Sequence, residues 1–314
     1  MSLLARAGWR RVALLAGLAL VLAAAPLFLA PYATTTLTRF LVFALLAVSL
    51  DLLVGVTGLP SLGHGAYFGA GAYAAGWVAI HSTRSLPVTL LVAAATGGLV
   101  AAVAGSVAVR ARGVFFLMLT LAIGEIVQQL AESWVAVTGG SNGMYGIPAA
   151  RLGAPLSGAT LHWAVLAVFA AGVAAVACIA ASPLGATLRG IRDNEPRMRS
   201  LGYRVYQYKL AAFVVAGAVA GLAGGLFAAQ QRLVTPAELG LGTSIPALLA
   251  VIIGGEGSLW GACIGAALVV LIRDYLGPGL GGHGSLILGL VFVLVVYLLP
   301  GGLSRALASR RQRA

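Results

Sequence analysis

The feature that most constrains this chain is a series of long segments with almost no charge. A helix that crosses the hydrocarbon core of a bilayer needs about 20 predominantly apolar residues. Such windows lie at 12–30, 38–57, 66–81, 88–109, 114–132, 161–181, 210–231 and 285–299. Only 9% of the residues are charged, whereas a soluble domain carries about 25%. The sequence therefore predicts an all-α, polytopic integral membrane protein that forms a single domain over residues 1–314.

A further apolar region, 244–274, is interrupted by Gly254, Gly255 and Gly257. This pattern is compatible with two short helices or with one broken, re-entrant segment. Basic residues concentrate in cytoplasmic segments, and both ends of this chain are basic. Both termini are therefore predicted to be cytoplasmic, which requires an even number of crossings. The count is then about ten, with the glycine break as a turn between two helices. The terminal basic residues are Arg6, Arg10, Arg11, Arg305, Arg310, Arg311 and Arg313.

The first apolar segment has two interpretations. Arg10 and Arg11 precede an apolar run that ends in small residues near Pro26 and Pro31, a pattern that a signal peptide also has. The apolar stretch continues past any small-residue cleavage site, which favours a retained helix. The orientation of every later span is the same in either case.

Small residues have a structural interpretation in such a chain. Glycine accounts for 43 of the 314 residues, and small residues allow membrane helices to approach closely. Two ladders at four-residue spacing are predicted to be packing faces: Gly217, Gly221 and Gly225, and Gly257, Gly261 and Gly265. The two cysteines, Cys178 and Cys263, lie within apolar stretches and are interpreted as packing residues.

The net charge of +12 is distributed in short runs between the apolar segments. This distribution is typical of topology-setting charges that lie near anionic lipid, and it does not indicate a nucleic-acid partner. The most charged segment is a predicted cytoplasmic loop at 182–209. Asp193 and Asn194 are positioned to cap a short helix with Glu195 and Pro196 in its first turn, and Gly202 can end it. Such a loop suits contact with a cytosolic partner, or a plain connection held near lipid.

Polar residues at membrane depth are costly unless they face protein or water. Glu125 is therefore either part of a permeation path or a structural contact, while Asp51 and Glu256 are interpreted as structural. Two stretches, 61–74 and a second at 138–148 in the predicted periplasmic loop 133–160, are expected to be irregular. Irregular backbone is tolerated at such depth where it lines a cavity or is covered by protein. The tentative path residues are Ser61, His64, Thr120, Glu125 and Asn142.

The sequence contains no chemistry for ATP binding or catalysis. A phosphate-binding loop ends in Gly-Lys-Ser or Gly-Lys-Thr, and the one lysine of this chain, Lys209, follows a tyrosine. No cluster of metal ligands and no nucleophile, base and acid set is apparent. We therefore expect neither an enzyme nor a metalloprotein.

Several motifs together resemble one family, the permease subunits of branched-chain amino-acid ABC importers, and within it the larger of the two paired permeases. The similar segments cover roughly residues 37–303. In chain order they read SLGHGAYFGAGAY, RGVFFLMLTLAIGEI, TGGSNGMYGIP, LRGIRDNE, KLAAFVVAGAVAGLAGGL, IPALLAVIIGGEGSLWGACIGA and LLPGGL.

The resemblance implies a subunit of the bacterial cytoplasmic (inner) membrane that works by alternating access without a cofactor of its own. Its implied partners are a second permease, two cytosolic ATPase subunits that bind ATP, and a periplasmic binding protein. The implied coupling residues are Arg189, Arg192, Asp193, Glu195 and Gly202.

One departure from the family pattern lies in this coupling loop. An alanine is expected two or three residues after Glu195, and Arg197 and Met198 stand there instead. The resemblance implies transport of leucine, isoleucine and valine, while similar subunits move urea, short amides or aromatic acids. An ion-coupled secondary transporter or channel is the alternative from a different class, with Asp51, Glu125 and His64 as its carriers.

Overall fold

The computed structural model describes residues 20–273 and 284–298, together with Gly17, Gly302 and Leu303. The helices in this part of the chain, labelled in order, are α1 (20–28), α2 (Pro31–Asp51), α3 (His64–His81), α4 (Leu86–Ala108), α5 (Val114–Ser133), α6 (Val135–Thr138), α7 (Ala159–Ala181), α8 (Pro183–Asp193), α9 (Glu195–Ser200), α10 (Val205–Gln231), α11 (Leu241–Gly254), α12 (Leu259–Leu271) and α13 (Gly284–Leu298). A π-helical turn, Leu52–Thr57, extends α2, and 3₁₀ turns form at Gly140–Asn142 and Pro236–Leu239.

Extended structure is confined, in the described chain, to short pieces near one end of the bundle. Strand β1 (Met144–Tyr145) pairs antiparallel with β4 (Leu233–Val234), and β2 (Arg151–Leu152) pairs antiparallel with β3 (Ala154–Pro155). The β1–β4 pair joins the long loop between α5 and α7 to the end of α10. These backbone hydrogen bonds hold part of the loop against the helical bundle.

Within the described residues, six segments are long and apolar enough to cross a membrane. They are Pro31–Thr57, Leu86–Ala108, Val114–Ser133, Ala159–Ala181, Val205–Gln231 and Pro236–Gly254. Two shorter apolar helices, Leu259–Leu271 and Leu286–Val295, accompany them. The prediction of an all-α, polytopic membrane protein is thereby confirmed. The seven terminal arginines used to orient the chain, and the N-terminal part of the first apolar segment, lie outside the described residues.

Helices α2, α3, α4 and α10 form the packed centre of the bundle. A helix that is apolar on all sides must be surrounded by other helices or by lipid, and 89% of the most apolar window of α2 is buried. Helix α10 lies against α4 along its glycines, because Gly217, Gly221 and Gly225 contact Ala101, Gly97 and Ala93 of α4. A Cβ atom added to Gly221 would lie 2.3 Å from the Ala93 carbonyl oxygen. The backbones of α4 and α10 are therefore in direct contact at these glycines, with no room for an added Cβ atom at Gly221.

The broken region of the sequence folds as two helices, α11 and α12, joined by a turn at 255–258. Their backbones touch, since a Cβ atom added to Gly254 would lie 1.9 Å from the Gly261 carbonyl oxygen. Gly265 likewise lies against Ala250. Gly257 lies outside α12, in the turn, with φ of +79°. Its prediction as the first step of a helical ladder is wrong, because a capping serine, Ser258, separates it from the helix.

The stretch 61–74 is largely helical, which corrects the expectation of an irregular segment. Helix α3 begins at His64, and only residues 58–63 between the α2 extension and α3 lack helical structure. The extension ends at Thr57, and Gly58 after it has a φ of +73°, in the left-handed region that glycine adopts without penalty. The many glycines of this stretch are packing residues of a helix: Gly71 lies against Gly221 of α10.

Candidate functional site

The charged segment 182–209 forms two helices at one end of the bundle. Ser182 caps α8, its Oγ accepting from the Gly185 N–H at 3.4 Å. Asn194 caps α9, its Oδ1 accepting from the Arg197 N–H at 3.0 Å. The sequence predicted the second of these helices and missed the first. We refer to residues Pro183–Ser200 as the α8–α9 unit.

Two of the predicted loop residues shape the ends of these helices. Asp193 is the last residue of α8, and its Oδ1 lies 3.3 Å from Arg192 Nε. Gly202 follows α9 with φ of +87°. Its N–H donates to the Arg199 carbonyl at 3.0 Å, and the Tyr203 N–H donates to the Met198 carbonyl at 3.2 Å. This pair of bonds is a Schellman ending, in which the left-handed residue satisfies the last carbonyls of a helix.

Glu195 is the centre of an ion cluster that connects three segments. Its Oε1 accepts from Arg112 at 3.1 Å and from Arg199 at 2.7 Å, and its Oε2 accepts from Lys209 Nζ at 2.8 Å. The side chains of Glu195 and Lys209 are 15% and 7% exposed. Partial burial raises the pKa of the Glu195 carboxyl, but the hydrogen bond and charge of Lys209, with Arg112 and Arg199, hold it below its ordinary value. The cluster fixes α9 to the α4–α5 connection and to α10.

Two arginines of α8 reach the ends of the long helices. Arg192 Nη1 donates to the carbonyl of Gly55 in the α2 extension, and Arg189 Nη1 donates to the Ala180 carbonyl at 2.7 Å. The apolar face of α8 is docked on the bundle through Leu188 and Ile191, which are buried. A displacement of α8 would therefore act directly on the α2 extension and on the end of α7.

A cavity of about 460 Å³ separates α8 from the turn between α11 and α12. Asp51 and Glu256 line it together with Arg189 and Arg192, so both signs of charge face this space. Asp51 Oδ1 accepts from the Gly257 N–H at 2.8 Å, which connects α2 to the turn. The structural interpretation of Asp51 thus corresponds to a specific contact, which the sequence alone did not identify.

Three of the five predicted path residues lie together inside the bundle. The Leu62 N–H donates to Thr120 Oγ1 at 3.2 Å, and His64 Nε2 lies 2.8 Å from Ser49 Oγ. Ser61, His64 and Thr120 are all fully buried. Ser61 Oγ has no hydrogen-bond partner among the described residues. The non-helical residues before α3 therefore run across α5 in the buried interior, where polar groups without a hydrogen bond are costly.

The starts of α3 and α11 meet at the same depth. The Gly65 N–H donates to Ser244 Oγ at 2.8 Å, and a Cβ on Gly65 would lie 2.8 Å from the Gly240 carbonyl oxygen. The N-cap residue of each helix is a glycine, which has no side chain to cap the helix itself. Helix starts within a membrane bundle carry unsatisfied N–H groups and partial positive charge, which can attract anionic groups. Ser244 was missed because one serine in an apolar run carries no distinctive signal.

Glu125 and Asn142 do not join this group. Glu125 lies on the opposite side of α5 from Thr120 and is exposed, as is Gln129 one turn further on. Asn142 is exposed at the end of a 3₁₀ turn in the long loop. The five residues are therefore distributed over an interior group, one outer helix face and one loop.

A bundle of long apolar helices with a short charged helical pair on one end is typical of a polytopic membrane protein. Residues 32–297 match the family described as branched-chain amino acid transport system, permease component, and the chain belongs to that family. The family consists of permease subunits of ABC transporters, which act with ATPase and substrate-binding partners. The predictions of a permease and of a non-enzymatic subunit are thereby confirmed.

Named relatives agree with this assignment. The high-affinity branched-chain amino acid transport system permease protein LivM of Salmonella typhimurium is 30% identical over 295 residues, covering 85% of this chain and 68% of LivM. LivM of Escherichia coli is also 30% identical, covering 90% of this chain and 73% of its own length. The autoinducer 2 import system permease protein LsrC of an Enterobacter species is 30% identical over 76% of this chain and 69% of LsrC. No solved structure matches the chain.

Proposed function

We propose that this chain carries branched-chain amino acids inward across the bacterial cytoplasmic (inner) membrane, as the larger permease of an importer driven by separate ATPase subunits. Two relatives that are similar over most of the chain are named for branched-chain amino acid transport. Because the chain contains no phosphate-binding loop, ATP is bound by its partners. The chain needs no cofactor of its own, and residues 1–314 act as one membrane domain.

The observation that carries this proposal is the contact of the α8–α9 unit with the long helices. Arg192 bonds to the Gly55 carbonyl, and the neighbouring cavity is closed on its other side by the α11–α12 turn. An ATPase seated on this unit would move α8, and the arginine contact would transmit that movement to α2. The coupling residues are Arg189, Arg192, Asp193, Glu195 and Gly202.

We propose ten crossings, with both termini and the α8–α9 unit on the cytoplasmic side and the loop 133–160 on the periplasmic side. The crossings are α1, α2, α3, α4, α5, α7, α10, α11, α12 and α13. Two observations support an even number of crossings after α8. The α11–α12 turn lies beside α8, and Gly302, beyond α13, lies against Gly255 of that turn. The basic residues of the α8–α9 unit support its cytoplasmic side.

We propose that the exposed face of α5 meets a second permease subunit. The most apolar windows of α5 and α7 are only 22% and 11% buried, yet the two helices differ in composition. Helix α7 carries no charged residue, so lipid can cover it. Helix α5 presents Glu125 and Gln129 on one exposed side, and a carboxylate facing hydrocarbon is costly. Protein or a water-filled path between two subunits removes that cost.

The interior group with Ser61, His64 and Thr120 is proposed to form part of the moving region in alternating access. The α3 and α11 starts are held by a few hydrogen bonds rather than by continuous helix. Such breaks allow half-helices to rearrange without disrupting a complete ladder of backbone bonds. Asn142 is assigned to the periplasmic entrance.

Coupling is tested with Arg192→Ala in the importer reconstituted into proteoliposomes with its ATPase, second-permease and binding-protein subunits. We expect the complex to assemble and hydrolyse ATP, while leucine uptake per ATP hydrolysed falls at least about tenfold. Arg84→Ala is the matched control, since Arg84 is an exposed arginine outside the α8–α9 unit. Unchanged uptake in Arg192→Ala would contradict the coupling role of the unit.

The choice of transport class is tested by reconstituting this chain alone. An ATP-driven permease subunit is expected to give no leucine flux without its ATPase partners, with or without a proton gradient. Flux from the chain alone would instead indicate a secondary transporter or channel. Uptake by the complete complex is then compared for leucine, isoleucine, valine, urea, short amides and aromatic acids, which identifies the solute.

A further inference from the structure

A second cavity, of about 160 Å³, lies within the bundle near the end that carries the long loop. Its lining comes from α2, α3, α10, α11, α12 and the 3₁₀ turn before α11, so it lies between elements that are distant in sequence. The apolar part of its wall is formed by Val42, Phe43, Phe68, Phe227, Val269 and Val270. The polar part is formed by Arg39, Gln231, Glu238, Thr243 and Arg273.

Charges of both signs face this space. Arg39 belongs to the candidate span Pro31–Thr57, and Glu238 belongs to the candidate span Pro236–Gly254. Thr243 Oγ1 donates to Glu238 Oε2 at 3.3 Å, and Arg39 and Arg273 line the same cavity as this carboxylate. Ionisable groups within membrane segments are expensive, and they characteristically mark pathways for polar solutes.

The guanidinium of Arg39 is held in a defined orientation. When the Gln231 amide is oriented with its oxygen toward α2, that oxygen accepts from Arg39 Nε at 3.1 Å and from Arg39 Nη2 at 2.9 Å. The rings of Phe68 and Phe227, which also line the cavity, lie with centroids 5.4 Å apart. The cavity wall therefore combines a charged side, formed by the polar residues, with an aromatic side, formed by these rings.

We propose that this cavity is a transit site for a zwitterionic amino acid with a branched apolar side chain. The inference rests on the proposed function and deepens it by assigning the residues that contact the solute. The guanidinium groups of Arg39 and Arg273 receive the carboxylate, Glu238 receives the ammonium group, and the aromatic side receives the hydrocarbon side chain.

Size and chemistry both restrict the ligand. An apolar cavity of about 150 Å³ is large enough for benzene, so this space accommodates a side chain of four carbons while the charged end contacts the polar wall. A solute with only one charge would leave either Glu238 or the arginines without a ligand partner. Paired recognition of this kind discriminates strongly against analogues that lack one group.

A purely structural ion cluster would need no space beside it, whereas these charges border a partly open cavity. Protein interiors are packed at crystal-like density, and voids larger than a water molecule are few. Charges that served only to join helices would be stabilised by close packing around them. Here the charges border a space whose remaining wall is aromatic and aliphatic, which is the composition of a small-molecule site.

The site is tested first by photolabelling of the complete reconstituted importer with a diazirine analogue of leucine. We expect label on peptides that contain lining residues, from α2, α3, α10, α11, α12 or the 3₁₀ turn before α11, and we expect excess leucine to remove it. Label confined to other helices in a complex that transports leucine would overturn the assignment.

Substitutions provide the second test. Val270→Phe fills the cavity, whereas the matched substitution Leu271→Phe alters a side chain that is 51% exposed. We expect Val270→Phe to abolish leucine uptake and Leu271→Phe to leave it unchanged. Glu238→Gln is expected to raise the KM for leucine at least about tenfold, as for loss of a hydrogen bond to a charged group, with subunit assembly intact.

The possible results distinguish failure of the proposed transit site from failure of the proposed importer function. Suppose that the native complex takes up leucine, that Val270→Phe takes it up normally and that Glu238→Gln has an unchanged KM. These results overturn the site and leave the importer assignment standing. Absence of leucine uptake by the native complex contradicts the proposed solute, and with it the choice of ligand for this cavity. Loss of assembly in Glu238→Gln would identify the charges as structural and overturn the proposal.

Discussion

At the scale of single residues, Glu195 is the anion that holds together an ion cluster outside the membrane spans. One carboxylate accepts hydrogen bonds from three cationic side chains that belong to different segments. Breaking such a cluster by removing the shared anion leaves cations close together with reduced compensation. Removing one of the cations is a smaller change, because the remaining two still neutralise the carboxylate.

Glu195→Gln is therefore expected to destabilise the protein more than Lys209→Met. We expect a loss of about 2 kcal/mol for Glu195→Gln, as for a lost charge-assisted hydrogen-bond group. Lys209→Met should be milder because a poorly exposed ammonium is replaced by an apolar chain of similar length. Thermal unfolding in one detergent at neutral pH compares the two variants, and equal stability of Glu195→Gln and wild type would contradict the cluster's role.

The same carboxylate makes a prediction about pH. Because the pKa of Glu195 is held below its ordinary value of 4.5, the stabilisation is fully present above that ordinary value. It is lost as the pH falls through the lowered pKa, where the carboxylate becomes protonated in the folded protein. The stability difference between wild type and Glu195→Gln should accordingly be constant at neutral pH and decrease toward zero in strong acid.

Substitutions of Glu125 test whether the exposed side of α5 takes part in transport. Glu125→Gln removes the charge without changing the shape of the side chain, so we expect reduced uptake with normal assembly of the importer. Glu125→Asp keeps the charge and should retain more activity. Uptake and co-purification of the partner subunits are measured on the same preparations. Equal loss of both quantities in Glu125→Gln would make this residue a structural contact between subunits.

At the scale of elements, the contact between α10 and α4 depends on the absence of side chains. In a bilayer the packing of helices relies on close van der Waals approach more than on the hydrophobic effect. Gly217, Gly221 and Gly225 lie on one face of α10, and the atoms opposite them are mostly backbone atoms or methyl groups of α4. Backbone atoms cannot move aside individually, so added atoms must separate the whole helices.

Gly221→Ala is expected to destabilise the bundle by about 1–3 kcal/mol, the usual effect of overpacking. An added Cβ would lie 2.3 Å from the Ala93 carbonyl oxygen and 2.9 Å from Gly97 Cα. Gly98→Ala is the matched control on the facing helix, because its Cβ would have its nearest neighbour at 3.4 Å. Melting temperatures in the same detergent should separate the two variants, and similar values would contradict the close contact.

At the scale of the whole molecule, the proposed topology is tested by the accessibility of single cysteines. Cys178 and Cys263 are first replaced by alanine, and Ser157→Cys and Ser200→Cys are then made separately at exposed positions. A membrane-impermeant maleimide should label Ser157→Cys in intact spheroplasts, and Ser200→Cys only after permeabilisation. Labelling of both positions from the outside would contradict the cytoplasmic side proposed for the α8–α9 unit.

The sequence was most informative where one physical rule acts on a continuous stretch of chain. Lipid exposure demands long apolar helices, so the span windows located most of the long helices within a few residues. Local hydrogen bonding also follows from the sequence, since Asn194 caps the start of α9 and Gly202 follows its end, as expected. The prediction for the stretch 61–74 was wrong because glycine has a low intrinsic helix propensity. In the folded protein the backbone of α10 leaves no room for a side chain at Gly71, so packing favours glycine within this helix.

By itself, the sequence determined that this chain crosses a membrane many times, that it contains no Gly-Lys-Ser or Gly-Lys-Thr phosphate-binding loop, and that a charged loop joins two apolar helices. Those properties follow from composition and from interactions between residues close together in the chain. Only the tertiary structure brought Arg192 to Gly55, Asp51 to Gly257, and Arg39 to the cavity shared with Glu238. These contacts join residues that are far apart in sequence, and their geometry depends on how whole helices pack, which no local pattern specifies.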